Sequence, residues 1–171
     1  MMRQISILTL LLASVLAAEA AERVYLEPEQ FLRQTFRGEP PPPRTLWPDK
    51  GLRQQITTLL GHPPSRLRFR YWRAGDRTAW ILEEIGKERP ITTGVVVRAG
   101  RIERLQVLIY RESRGWEVSR PGFTDQFRGA SLQGLRLDRR IDGISGATLS
   151  VRALGRLARL ALLLTREVEM K

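Results

Sequence analysis

The 171-residue chain contains no cysteine. That excludes disulfides, thiolate metal sites, iron–sulfur clusters, c-type haem attachment and a lipoprotein anchor. Histidine is almost missing as well. His62 is the single one, so the chain alone cannot build a multi-histidine metal site. It sits between Gly61 and Pro63-Pro64, in a turn. Any redox cofactor held here would have to be organic. Acidic residues are in deficit: 18 Asp and Glu stand against 29 Lys and Arg, a formal net charge of +11. A balance this basic points to anionic partners, among them nucleic acid, a membrane surface, an acidic protein or a phosphorylated ligand. The other reading is a base composition that favours Arg over Lys. There is no internal repeat.

With 42% hydrophobic residues, the chain can bury the core of one modest domain with extensions. At the N-terminus, Arg3 precedes the apolar run "ISILTLLLASVLA", and Ala18-Glu19-Ala20 follows. This is the pattern of a secretory signal peptide, cleaved after Ala20. The run is short for a membrane span, and an uncleaved anchor is the alternative. Cleavage removes one charge of each sign, Arg3 and Glu19, and leaves the balance unchanged. Residues 1–20 are thus a signal peptide, 21–63 a helical and proline-rich extension, and 64–171 the main domain.

In the extension, Leu26-Glu27-Pro28 opens a short helix through Phe31, Leu32 and Phe36, with Pro28 at the first helical position. "GEPPPP", Gly38 to Pro43, breaks it and reads as an extended spacer, with a ligand for a proline-recognition module as the alternative. Asp49 caps a second short helix whose apolar face is Leu52, Ile56, Leu59 and Leu60. From Leu67 the period changes to two, with Leu67, Phe69 and Tyr71 on one face. "TAWILEEI", "ITTGVVV" and "RIERLQVLIY" follow, joined by short turns. The expected fold is therefore α+β: an antiparallel sheet of about four or more strands, a C-terminal helix packed on it, and short N-terminal helices. Residues 112–140 lack periodicity and read as a long functional loop or several short pieces, with a short helix through Thr124 to Phe127. The last helix runs from about Thr148 to Arg166, with Arg152, Arg156 and Arg159 as a polar stripe that reads as the solvated face, a docking surface being the alternative.

Before that helix stands "DGISGAT", Asp142 to Thr148. A helix N-terminus exposes free N–H groups and positive potential, which suit a phosphate. Gly146 and Ala147 leave room for close approach to the backbone, and Thr148 supplies a hydroxyl. Asp142 and Ser145 could orient or polarise it. They could equally form an Asx turn and a helix cap. The whole pattern D-x-x-[ST]-G-A-[ST] arises by chance in roughly one in a thousand chains of this length, given average composition.

"DGISGAT" resembles the covalent flavinylation motif of FMN-binding domains. These occur in the C subunit of sodium-pumping NADH:quinone reductases, the G subunit of Rnf complexes and many small exported flavoproteins. The resemblance implies that Thr148 carries FMN through a phosphoester, and that Asp142, Ser145, Gly146 and Ala147 form the recognition motif. It also implies a flavin transferase that uses FAD as donor outside the cytoplasm. Upstream, the family pattern E-T-P-G-x-G is met by "ESRGWEV": Glu112 and Gly115 match, Ser113-Arg114 replace Thr-Pro, and Trp116 occupies a variable position. "GFTDQFRG" follows it. The resemblance spans roughly residues 65–168. Trp116 and Phe123 are candidates to stack on the flavin ring, or else ordinary core.

The leading expectation is an exported, periplasmic electron carrier with covalent FMN, more a carrier than an enzyme. It would exchange electrons with membrane or periplasmic redox proteins, with possible contact to a membrane surface and no nucleic-acid partner. Its rivals are an exported basic module that binds an anionic ligand, with the motif only a cap, and a flavin-dependent reductase of a small molecule. Export itself is tested by intact mass: a mature chain starting at Ala21 is expected, and a mass retaining residues 1–20 identifies an anchor.

Overall fold

The computed structural model describes residues 22–171, so the signal segment expected at 1–20 lies outside the described residues. The chain runs β1 (Arg23–Val24), α1 (Pro28–Phe36), β2 (Arg44–Leu46), α2 (Lys50–Leu60), β3 (Phe69–Ala74), β4 (Arg77–Ile85), β5 (Pro90–Arg98) and β6 (Arg101–Tyr110). Two 3-10 turns flank the short α3 (Pro121–Thr124); the two-residue strands β7 (Leu132–Gln133) and β8 (Arg136–Leu137) form a ribbon, and α4 (Thr148–Glu169) ends the chain.

Strands β3 to β6 form the expected antiparallel meander inside a six-stranded sheet of order β1-β6-β5-β4-β3-β2. The fold is α+β. The β5–β6 turn is tight because Ala99 and Gly100 both adopt positive φ, 47° and 69°, the geometry that matches strand twist in a two-residue hairpin. The N-terminal extension closes both edges of the sheet. Arg23–Val24 pairs with Ile109–Tyr110 on one side, and Arg44–Leu46 pairs with Phe69–Tyr71 on the other. The prolines thus lead directly into an edge strand. Pro28 does start α1, and Asp49 does cap α2, its carboxylate accepting the Leu52 N–H at 2.8 Å.

Alternation along the strands sends side chains to two layers. Trp80, Leu82, Val95, Val97, Leu105 and Val107 join the main core beneath α4 and α2. Ala79, Val96 and Leu108 point the other way, into a smaller core closed by Phe31 and Leu32 of α1. α4 is buried along most of its length, since both the sheet and α2 pack on it. Each fully buried Leu in it stabilises the fold by ~1.5–3 kcal/mol. Trp80 also donates its indole N–H to Thr165 on α4 at 2.8 Å.

The structure refines three readings of the sequence. Leu67, placed on one face with Phe69 and Tyr71, is exposed: β2 ends with Leu46 opposite Phe69, so no strand reaches Leu67. The arginine stripe of α4 is not simply solvated. Arg156 pairs with the buried Glu84 of β4 at 3.1 Å, and Glu84 also holds His62 Nε2 at 2.8 Å. That hydrogen bond, helped by the Pro63 carbonyl, raises the His62 pKa above its ordinary value. Finally, of the two readings of residues 112–140 the set of short pieces is the one observed, and the helix expected through Thr124 to Phe127 starts earlier, at Pro121. Proline at the first helical position fixes that start. The segment is anchored to Ile102, whose carbonyl accepts the Gly129 N–H and whose N–H donates to the Ala130 carbonyl.

Gly94 on β5 is where α1 lands. A Cβ there would stand 2.5 Å from Cζ of the fully buried Phe31. Gly94→Ala is expected to lower the unfolding free energy by about 1–3 kcal/mol, the usual range for overpacking, as read from chemical denaturation.

Candidate functional site

The segment before α4 is a turn, not a cap. Ala147 donates its N–H to the Ile144 carbonyl at 3.0 Å, and Gly146 sits at φ 79°. A positive φ at the third turn residue is what a type II turn demands, and glycine meets it without strain. Ala147 is the N-cap residue of α4, and no side chain caps the helix. The capping role considered for Asp142 and Ser145 is therefore overturned. The first amide bonded within the helix is that of Val151, to the Ala147 carbonyl. The N–H groups of Thr148, Leu149 and Ser150 precede it, at the positive end of a 22-residue helix.

Gly115 and Tyr110 hold this end in place. Tyr110 lies at the end of β6 and is fully buried. Its hydroxyl donates to the Arg114 carbonyl and lies 2.9 Å from Ser150 Oγ. Burial pushes the phenol pKa up, so it stays a neutral donor. Gly115 has φ 81°, and a Cβ there would stand 2.9 Å from Tyr110 Oη, 3.0 Å from Ser150 Oγ and 3.3 Å from Ala147 Cβ. The loop after β6 therefore packs directly on the first turn of α4, and only glycine leaves it room.

Glu112 organises the other wall. Its buried carboxylate accepts the backbone N–H groups of Lys87, Glu88 (2.7 Å) and Arg89 (3.0 Å). One Oε1 atom thus shapes the whole β4–β5 turn. Lys87 is placed at the rim of a cleft of about 600 Å³, lined also by Glu112, Ser113, Arg114 and Gly146 through Ser150. That volume is within the range of ligand sites, roughly 300–1,000 Å³. No lining side chain is aromatic.

Of the residues singled out in the sequence, Glu112, Gly146, Ala147 and Thr148 meet in this cleft, with Gly115 behind it. Thr148 is exposed and Ala147 is buried. Asp142 and Ser145 lie outside the cleft, exposed on the approach to it. Asp142 is tied down through its backbone N–H, which donates to Gln126 Oε1 at 2.8 Å. Trp116 also lies outside. It is half-buried against the core, with the Arg120 and Arg23 guanidinium carbons 4.5 and 5.9 Å from its ring centroid. Phe123 belongs to the core, edge-on to Phe127 at 5.7 Å, and offers no free ring face. Lys87 and Leu149 are cleft residues that sequence reasoning missed. Lys87 had no motif to flag it, only its place in a turn that Glu112 folds over.

The chemistry of this donor set suits a phosphate. It combines three open amides at a helix start, two cations and a free hydroxyl, while the one carboxylate is already occupied by three N–H groups. A phosphate or phosphodiester at Thr148 fits it. Residues 86–163 match the model of a family described as the FMN-binding domain. The matched span contains every residue that lines the cleft. No curated protein and no solved structure matches the chain.

Gly115→Ala is expected to destabilise the fold by about 1–3 kcal/mol, combining overpacking with a strained positive φ. The loss should appear in thermal unfolding. Ser150→Ala and Gly115→Ala together should cost less than the sum of the two, because they share one contact.

Proposed function

We propose that this chain, a flavin-binding protein with an FMN-binding domain at residues 86–163, carries FMN covalently on Thr148 and relays electrons outside the cytoplasm. The observation that supports this reading most is the uncapped start of α4, with the Thr148 hydroxyl exposed in a cationic cleft. A helix that merely needed a beginning would use Ser or Asp as its cap. Here both residues are present nearby, and neither caps.

Each part of the site has a task in this reading. Thr148 Oγ1 is the acceptor for a flavin transferase with FAD as donor: the hydroxyl loses its proton and gains an O–P bond to the FMN group, while the pyrophosphate bond of FAD breaks and AMP leaves. Asp142 and Ser145, exposed on the approach, are available for the transferase to read. At Gly146 the backbone is open, with nothing within 4 Å of where a Cβ would stand, so a bulky group can approach it. Once the ester is formed, its remaining negative charge is balanced by the open amides of α4 and by Lys87 and Arg114. Glu112 holds the Lys87 turn in register. Bound FMN supplies the one- and two-electron chemistry, and the protein supplies position and electrostatics. A covalent bond also retains the cofactor in a compartment where a diffusible flavin would be lost. The electron partners are membrane or periplasmic redox proteins. Among the described residues no helix is long and apolar enough to cross a membrane.

The test is co-expression with a flavin transferase, then denaturing electrophoresis read by flavin fluorescence. Wild type and Thr148→Ser should fluoresce, Ser145→Ala should keep a weakened signal because only transferase recognition is impaired, and Thr148→Ala should be dark. A fluorescent Thr148→Ala band, or a dark wild type beside a labelled control substrate, contradicts the proposal.

A further inference from the structure

The sheet face that carries α1 is only partly covered. β3 alternates like the other strands: Phe69 and Tyr71 pack on the main core, while Trp72 belongs to the layer under α1. Beside α1 an open groove of about 810 Å³ follows, bordered by Arg68, Arg70, Trp72 and Ile81, with Leu32 of α1 and Trp47 among its walls. Two large apolar side chains at its rim are strongly exposed, Trp47 at 61% and Leu67 at 69%.

The charges here are not balanced internally. Arg66 is engaged by Glu83. Among the described residues Arg68 and Arg70 pair with no carboxylate. The one carboxylate bordering the groove is Glu29. Arg68 instead lies with its guanidinium carbon 5.7 Å from the Trp47 ring centroid. Arg and Trp are the residue types that most often carry interface energy, and a guanidinium fork matches a carboxylate in two bonds.

We propose that this groove docks an extended acidic segment of a partner protein. Concavity favours a chain segment over a lipid surface. A flat bilayer would meet rim residues such as Trp47 and Leu67, while Arg70 and Trp72 within the groove would stay unfilled. The groove and the start of α4 lie on opposite faces of the sheet, so an occupant leaves the Thr148 cleft open. The proposal does not depend on flavin attachment.

The full chain is titrated into a fluorescein-labelled dodecapeptide of alternating Glu and Leu, and anisotropy is read at low and high salt. Binding is expected, with weakening as salt rises and none to the Lys–Leu counterpart. Arg68→Glu with Arg70→Glu should weaken it at least tenfold, and the milder Arg68→Gln with Arg70→Gln should fall between. Arg136→Glu with Arg152→Glu, the same charge change at exposed positions elsewhere, should leave it unchanged. An unlabelled peptide should shift tryptophan emission to the blue, and Trp47→Phe should remove that shift. Equal weakening by the Arg136/Arg152 pair, no peptide binding, or binding only to phosphatidylglycerol vesicles would overturn the proposal.

Discussion

The arrangement of the site depends on one small junction. The Tyr110 hydroxyl at the end of β6 reaches the Arg114 carbonyl on one side and Ser150 Oγ on the other. It thereby joins the sheet, the loop after it and the first turn of α4. Two buried hydroxyls that satisfy each other form a costly contact to break, because either one left alone keeps its desolvation penalty. Gly115 is the steric counterpart of that polar contact, since it lets the loop lie against Ala147 and Ser150. With both in place, the open amides of α4 and the Thr148 hydroxyl face a cleft whose other wall is set by Glu112. A cap on α4 would occupy the amides that the cleft presents.

The two faces of the sheet differ. The α4 face holds the larger core and the cleft at Thr148. The opposite face is covered by α1 over β4 and β5 and left open over β3. This division follows from strict alternation along four strands, so the same strand that buries Phe69 presents Arg70 on the other side. The basic excess of the chain is therefore not spread evenly. Part is neutralised at Glu84 by Arg156, and part stands free beside Trp47.

Much of this was legible beforehand, and the failures have physical causes. Strands β3 to β6 announce themselves by alternation and by turn residues at 75, 86 and 99–100. Asp49 and Pro28 mark helix starts because their chemistry acts locally. Strands β1 and β2 span two and three residues, too short for any period to show. Their pairing is decided by the sheet edges they cover. Leu67 shares a face with Phe69 and Tyr71 in the pattern yet stays exposed, because alternation predicts a face, not whether anything covers it. "DGISGAT" ends where the structure opens a cleft, and its side chains do not cap α4, because Ser145 is held in a turn two residues before the N-cap. Lys87 was invisible, since a buried carboxylate 25 residues away folds its turn.

The central claim is that one hydroxyl, at the uncapped start of α4, is the attachment point of the flavin. Trypsin releases that region as the peptide Ile141–Arg152, which contains Ser145, Thr148 and Ser150 as its only hydroxyl residues. Mass spectrometry with fragmentation of this peptide, taken from protein made beside a flavin transferase, is the most direct measurement. The account predicts a mass gain of one FMN less one water, with fragments that place it on Thr148. An unmodified peptide from a yellow protein, or fragments that place the group on Ser145 or Ser150, would contradict it.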